Sequence, residues 1–219
     1  MQEIAQLYRE EDADEQLLRI FGVDSQPFLN AVASGWLQWA NRSEFDAPSF
    51  PGSLLWGHTV RAERTQLSER RWTCDSTDNF PTCITPDGKM AIVVETGDEE
   101  TGKVVPGRRP RTKSQKGPRT MQMVRDNSQL LQGDLFSAFA MRPRLVGEGP
   151  LLWVHLIHQH GGFVYHEISL PTVADSDSRI TGWKCRIILP TYRSGSALSK
   201  LTAPTPAPDI QVQVKRRAG

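Results

Sequence analysis

The stretch LLWVHLIHQHGGFVYHEISL, residues 151–170, decides the fold class. Two runs rich in Val, Ile, Leu, Phe, Tyr and Trp flank Gly161-Gly162. Such side chains suit a pleated, half-buried surface, and paired glycines supply the positive φ of a tight turn. The stretch therefore reads as a hairpin of strands Leu151–His158 and Phe163–Leu170. A third run, Ile180–Leu189, follows it, and the segments Ile168-Ser-Leu-Pro171 and Ile187-Ile-Leu-Pro190 end alike. Proline lacks the ladder N–H, so both strands are expected to stop there.

Working outward, Thr82-Cys-Ile-Thr85 and Met90-Ala-Ile-Val-Val-Glu95 form a second hairpin pattern around Asp87-Gly88. Before Arg71 the period changes to that of helices. Residues 3–21 carry Ile4, Leu7, Leu17, Leu18 and Phe21 amid charge and predict one amphipathic helix or two short ones, stopping at Gly22. Phe28, Leu29, Val32, Trp36, Leu37 and Trp39 predict a second helix with Ser25 as its cap and Pro27 in its first turn. A third is expected from about Ser53 to Arg70 and a short one near 119–131. Residues 97–120 have no apolar period and predict a long loop. The fold class is α+β: N-terminal helices packed on a small, mostly antiparallel sheet. A single domain is expected over 1–200, with a helical half to about 70 and a β-rich half to about 195. The tail 201–219, rich in Pro, Ala and Thr, is expected to be flexible.

Hydrophobic and charged contents of 38% and 23% are those of an ordinary globular chain. Cys74, Cys83 and Cys185 are too few for a disulfide framework, and their odd number points to a reducing compartment. The acidic N-terminus has no apolar core of a signal peptide, and no run approaches the roughly 20 apolar residues that span a bilayer. The expectation is a cytoplasmic protein with no membrane contact.

The net charge of +1 hides a segregation. Lys103, Arg108, Arg109, Arg111, Lys113, Lys116 and Arg119 follow one another with no acid among them. Such a loop can neutralise phosphates and release their counterions. Having no aromatic residue, it is expected to bind backbone without sequence preference. The alternative is a solvated loop offsetting the acidic N-terminus.

Just beyond lies Gln132-Gly-Asp-Leu-Phe136. This pentapeptide resembles the one by which many bacterial replication and repair proteins dock on the sliding clamp, although Gly133 stands where Leu is commoner. The resemblance implies that Leu135 and Phe136 fill an apolar pocket while Gln132 and Asp134 complete the motif. The competing reading makes Leu135 and Phe136 ordinary core residues of a helix.

Two further clusters carry possible chemistry. Pro86-Asp87 followed by Glu95 resembles the nuclease family whose hairpin holds Mg²⁺ on an Asp and a Glu. That family has Lys two residues after the Glu, and Gly97 stands there instead. His158, His160 and His166 could converge at a hairpin end, with Cys185 from a neighbouring strand, whereas His155 and His158 face opposite sides of a regular strand. The more ordinary reading is of surface histidines, with no bound metal and no cofactor. The sequence thus suggests a non-enzymatic accessory protein of DNA transactions, associated with a mobile element, that contacts nucleic-acid backbone and docks on the sliding clamp. The alternatives are a Mg²⁺-dependent nuclease using Asp87 and Glu95, or an inhibitor or structural protein binding an acidic partner.

Overall fold

The computed structural model describes residues 5–131 and 149–194. The runs that read as strands form one mixed sheet. Strand β1 is Gln6–Tyr8, β2 Thr73–Asp75, β3 Thr82–Ile84 and β4 Met90–Thr96. Strand β5 is Leu151–His160, β6 Phe163–Ala174, β7 Ile180–Ile188 and β8 Tyr192–Arg193. The order across the sheet is β1-β7-β6-β5-β4-β3-β2, with β8 pairing β6. Most neighbours are antiparallel, as expected, but β4 pairs β5 in parallel and β1 pairs β7 in parallel. A parallel pair needs a crossover, and the chain between β4 and β5 supplies it with helix α4, Pro118–Leu130.

The alternation along β5 sends its residues to two different layers. Trp153 meets Phe21 edge-on at 5.2 Å and His155 meets Phe28 at 5.6 Å. Phe21 ends helix α1, Glu11–Phe21, and Phe28 lies in helix α2, Gln26–Ala40. Helix α3, Phe50–Ser68, packs beside α2 on the same side. On the opposite face Leu152, Val154 and Leu156 cluster with Val124 of α4, Ile180 and Trp183. The N-terminal helices therefore lie on one side of the sheet, and α4 with the long loop covers the other.

Several local expectations are corrected. Residues 6–8 form a strand rather than helix, because the open edge of β7 accepts their backbone bonds. The helix that follows does stop at Gly22, whose φ of 70° is the left-handed one that favours glycine there. Ser25 makes no side-chain cap; Asp24 Oδ1 instead accepts the Gln26 N–H at 3.1 Å, with Pro27 in the first turn as read. Strand β6 does not stop at Pro171. It runs on to Ala174 through shifts of register beside Pro171, the irregular setting in which a sheet tolerates a residue without N–H.

Cys74 and Cys83 face each other across β2 and β3 and are joined in a disulfide. They stand nine positions apart in the chain, so sequence alone showed two scattered thiols. The bond removes the ground on which the cysteine count pointed to a reducing compartment. No described helix is long and apolar enough to cross a membrane. Reduction by dithiothreitol is expected to cost about 2–3 kcal/mol, the value for so short a closed loop. A thermal melt with and without reductant, repeated on Cys74→Ser, measures it.

Candidate functional site

The pairing of β4 with β5 ends at Thr96 and Ile157, and a cleft opens beyond it. The first turns of α3, from Ser49 to Trp56, line one wall, and the returning loop from Lys113 to Lys116 lines another. The cleft has two recesses of about 560 and 540 Å³, which share Trp56, Glu95 and Lys116. Trp39, Lys113, His158 and Gln159 border the first. Asp78, Phe80 and Arg119 border the second. Glu95 Oε2 lies 2.5 Å from Lys116 Nζ, with both side chains largely buried.

The loop that carries the bases is folded firmly onto the sheet. Lys113 N–H donates to Thr96 O at 2.8 Å, and Trp183 Nε1–H donates to Pro110 O at 2.7 Å. Gly102 N–H donates to Glu167 Oε2 at 2.8 Å. Gly102 has a φ of 67°, and a side chain there would meet the backbone nitrogen of His166 at 2.8 Å, so the loop approaches β6 closely only with glycine.

This packing changes the meaning of the basic stretch. Arg108 Nη1 pairs with Glu100 at 2.9 Å, Arg111 Nε with Asp98 at 3.6 Å and Arg119 Nη1 with Asp78 at 3.0 Å. Lys103 Nζ sits 4.5 Å from the centre of the Tyr165 ring. Asp98 and Glu100, just after β4, and Asp78 thus answer three of the loop's own bases. Lys113 is exposed and makes no ion pair among the described residues. Arg109 has partners of its own.

Asp87 and Glu95 are not brought together. Asp87 lies in the turn before β4 and Glu95 near the strand's far end, on the order of 20 Å apart at the rise of a strand. Asp87 shapes the turn: its Oδ1 accepts from Thr85 Oγ1 at 2.6 Å and from Lys89 N–H at 3.1 Å. Burial raises the Asp87 pKa, but these hydrogen bonds outweigh it and hold the carboxyl below its ordinary value. Beside Glu95, register places Leu156 opposite it on β5, and Thr82 stands opposite Val93 on β3. Neither position supplies a second carboxylate.

The histidines also regroup. His155 Nε2 and His166 Nδ1 are 3.0 Å apart, His155 Nδ1 bonds Glu63 of α3, and His166 Nε2 lies 2.9 Å from Pro190 O. All three side chains are buried. Burial first, then the neighbouring His155, pushes the His166 pKa down to about 3. His158 and His160 stack at 6.4 Å on the other face of β5, so His166 does not converge with them. Burial lowers the His158 pKa, and its Nδ1 lies 3.2 Å from Gly97 O. Cys185 is buried away from these rings, its thiol pushed up to about 12 by burial. Among the described residues no group of three His, Cys, Asp or Glu side chains is arranged to hold a metal ion.

No family model matches the chain, no curated protein is significantly similar to it, and no solved structure matches it. The site therefore stands on its own geometry. The peptide Gln132–Phe136 and the tail from 195 onward lie outside the described residues. From the sequence a tryptophan such as Trp56 reads as core or interface, Glu63 was passed over, and Lys116 reads only as one base among seven. Trp56 carried a signal, a large aromatic near the start of a polar helix. The pairing of Lys116 with Glu95, across 21 residues of loop, carried none.

Proposed function

We propose that the protein is a non-enzymatic accessory factor of DNA transactions that binds nucleic-acid backbone at this cleft. The observation that carries the reading is the return of the loop to the strand ends, which sets Lys113, Lys116 and Arg119 around recesses lined by Trp39 and Trp56. Bases position phosphates, and aromatic rings offer bases a sequence-tolerant surface. Arg108 and Arg111 are mostly exposed at the loop's outer side and add long-range attraction, discounted by their own acids. The non-enzymatic part is supported by the distance between Glu95 and Asp87, which keeps the two carboxylates from sharing one metal ion. Docking on the sliding clamp through Gln132, Asp134, Leu135 and Phe136 belongs to the same proposal and rests on the sequence resemblance.

The salt dependence of binding to random-sequence DNA tests it. Replacing Lys113, which makes no ion pair among the described residues, by Ala is expected to flatten the slope of log affinity against log salt by about 0.7–0.9, one phosphate contact. Replacing Arg108, Arg111 or Arg119 is expected to change it by less per residue, because Glu100, Asp98 and Asp78 already screen them. An unchanged slope in the first variant removes the cleft as the contact site. A second reading, Mg²⁺-dependent cleavage, is favoured by the lysine that the loop brings to Glu95. Mg²⁺-dependent nicking of plasmid DNA that disappears in Glu95→Gln would establish it in place of the first.

A further inference from the structure

We infer that the cleft is a single-strand site, in which an unpaired base stacks on Trp56 while the flanking phosphates meet Lys113 and the first turn of α3. This rests on the nucleic-acid reading above and goes beyond backbone contact to the form of nucleic acid the site selects.

The aromatic residue is found by elimination. Trp72, Trp153 and Trp183 are buried in the core. Trp36 packs on Tyr192 with ring centres 5.8 Å apart. Trp39 borders the first recess, but the Arg42 guanidinium covers its ring at 3.6 Å. Trp56 remains. It is 37% exposed and borders both recesses, so its ring is open where the two meet. It is also held in place: its Nε1–H donates to Val94 O at 2.9 Å, in the middle of the sheet. An aromatic ring fixed by its polar edge and left partly in water forms a stacking surface that loses little freedom when a base arrives.

The surroundings match one nucleotide. A recess of about 560 Å³ lies within the range of small-molecule sites. Duplex bases are stacked and paired, and taking one out costs a few kcal/mol, whereas a single strand presents its bases already free. Lys113 lies at the rim and makes no ion pair among the described residues, and Ser49–Ser53 bring the positive end of the 19-residue helix α3 to the same recess. His158, Gln159 and Ser114 offer polar atoms to a base edge; the Gln159 amide is the one paired donor and acceptor among them, which predicts at most a mild preference for adenine. Glu95, held by Lys116, adds no net charge to repel phosphate.

Fluorescence anisotropy at fixed salt tests the inference, using a labelled oligothymidylate, a duplex of equal length, and an oligomer of the same length built on abasic sugars. The unaltered protein is expected to bind the thymidylate at least tenfold more tightly than the duplex or the abasic oligomer. Trp56→Ala is expected to lose about 5- to 100-fold on the thymidylate alone, with its salt slope kept, while Trp56→Phe retains most of the binding. Equal affinity of the unaltered protein for thymidylate and abasic oligomer overturns the inference whatever the variants do, as does equal affinity for single strand and duplex. Absence of binding to any of the three defeats the proposed function itself.

Discussion

Glu63→Ala is expected to destabilise the protein by about 3–5 kcal/mol, the loss typical of breaking a buried charged pair from one side. The hydrogen-bond chain shows why. Pro190 O can only accept, so His166 Nε2 carries a proton and, with its pKa near 3, the ring is neutral and its Nδ1 accepts. His155 Nε2–H therefore donates to it. What remains is one proton between His155 Nδ1 and Glu63, either as an imidazolium facing a carboxylate or as a neutral ring facing a carboxylic acid. Alanine leaves this end of the chain without a partner in the core. Glu63→Gln keeps a donor N–H of the same reach, so its loss is expected to be about half that of alanine or less. Urea melts of both variants measure the difference. The same chain sets a pH dependence. Unfolded histidine titrates near 6.5, whereas folded His166 does so near 3. The unfolded state thus binds more protons between those values. Stability is full above about pH 6.5 and is lost as pH falls toward 3, on the order of 1.4 kcal/mol per pH unit from this group. Stability measured at pH 7, 6, 5 and 4 checks the sign.

The second large effect is expected at Arg186→Ala, also about 3–5 kcal/mol. Glu167 is fully buried on the face of β6 opposite His166, and Arg186 Nε lies 3.0 Å from its Oε1. Ser169 Oγ–H donates to the same oxygen at 2.7 Å. Arg186 Nη2 also donates to Lys103 O at 3.0 Å, so the pair ties the loop to the sheet from both of its members. Removing the guanidinium strands a carboxylate in the core. Removing both charges does not: Glu167→Leu with Arg186→Met is expected to recover most of the lost stability, because packed apolar groups often equal a buried ion pair. The double variant still lacks the tethers at Gly102 and Lys103. Its loop amides are expected to exchange with solvent much faster than in the wild type, at nearly unchanged global stability. Hydrogen exchange at Gly102 separates the two roles of the pair.

The elements with a strong local pattern were legible in the sequence. The alternating runs became β5, β6 and β7, Asp87-Gly88 became a turn with Gly88 at a φ of 72°, and the fourth helix appeared where expected. Expectation failed where a partner lay far away along the chain. Residues 6–8 have little strand pattern and are extended because β7 lies beside them. Cys74 and Cys83 meet through the register of β2 and β3. His155 finds Glu63 across 92 residues, and no periodicity encodes that meeting. The candidate site was half visible. Its bases stood out by composition, but their neutralisation by Glu95, Asp98 and Glu100 and their closeness to Trp56 exist only in three dimensions.

The parallel pairing of β1 with β7 joins Leu7 to Arg186. On a ribosome making about 5–20 residues per second, the first strand would emerge roughly 10–35 seconds before β7, its neighbour among the described residues. Through that interval the helices and the β2–β4 meander can form from local contacts, while Gln6–Tyr8 has nothing to pair with. The sheet's outer edge is therefore sealed last, after synthesis has passed β7. A nascent chain halted before residue 180 would leave both that strand and the flank of β6 open to other chains.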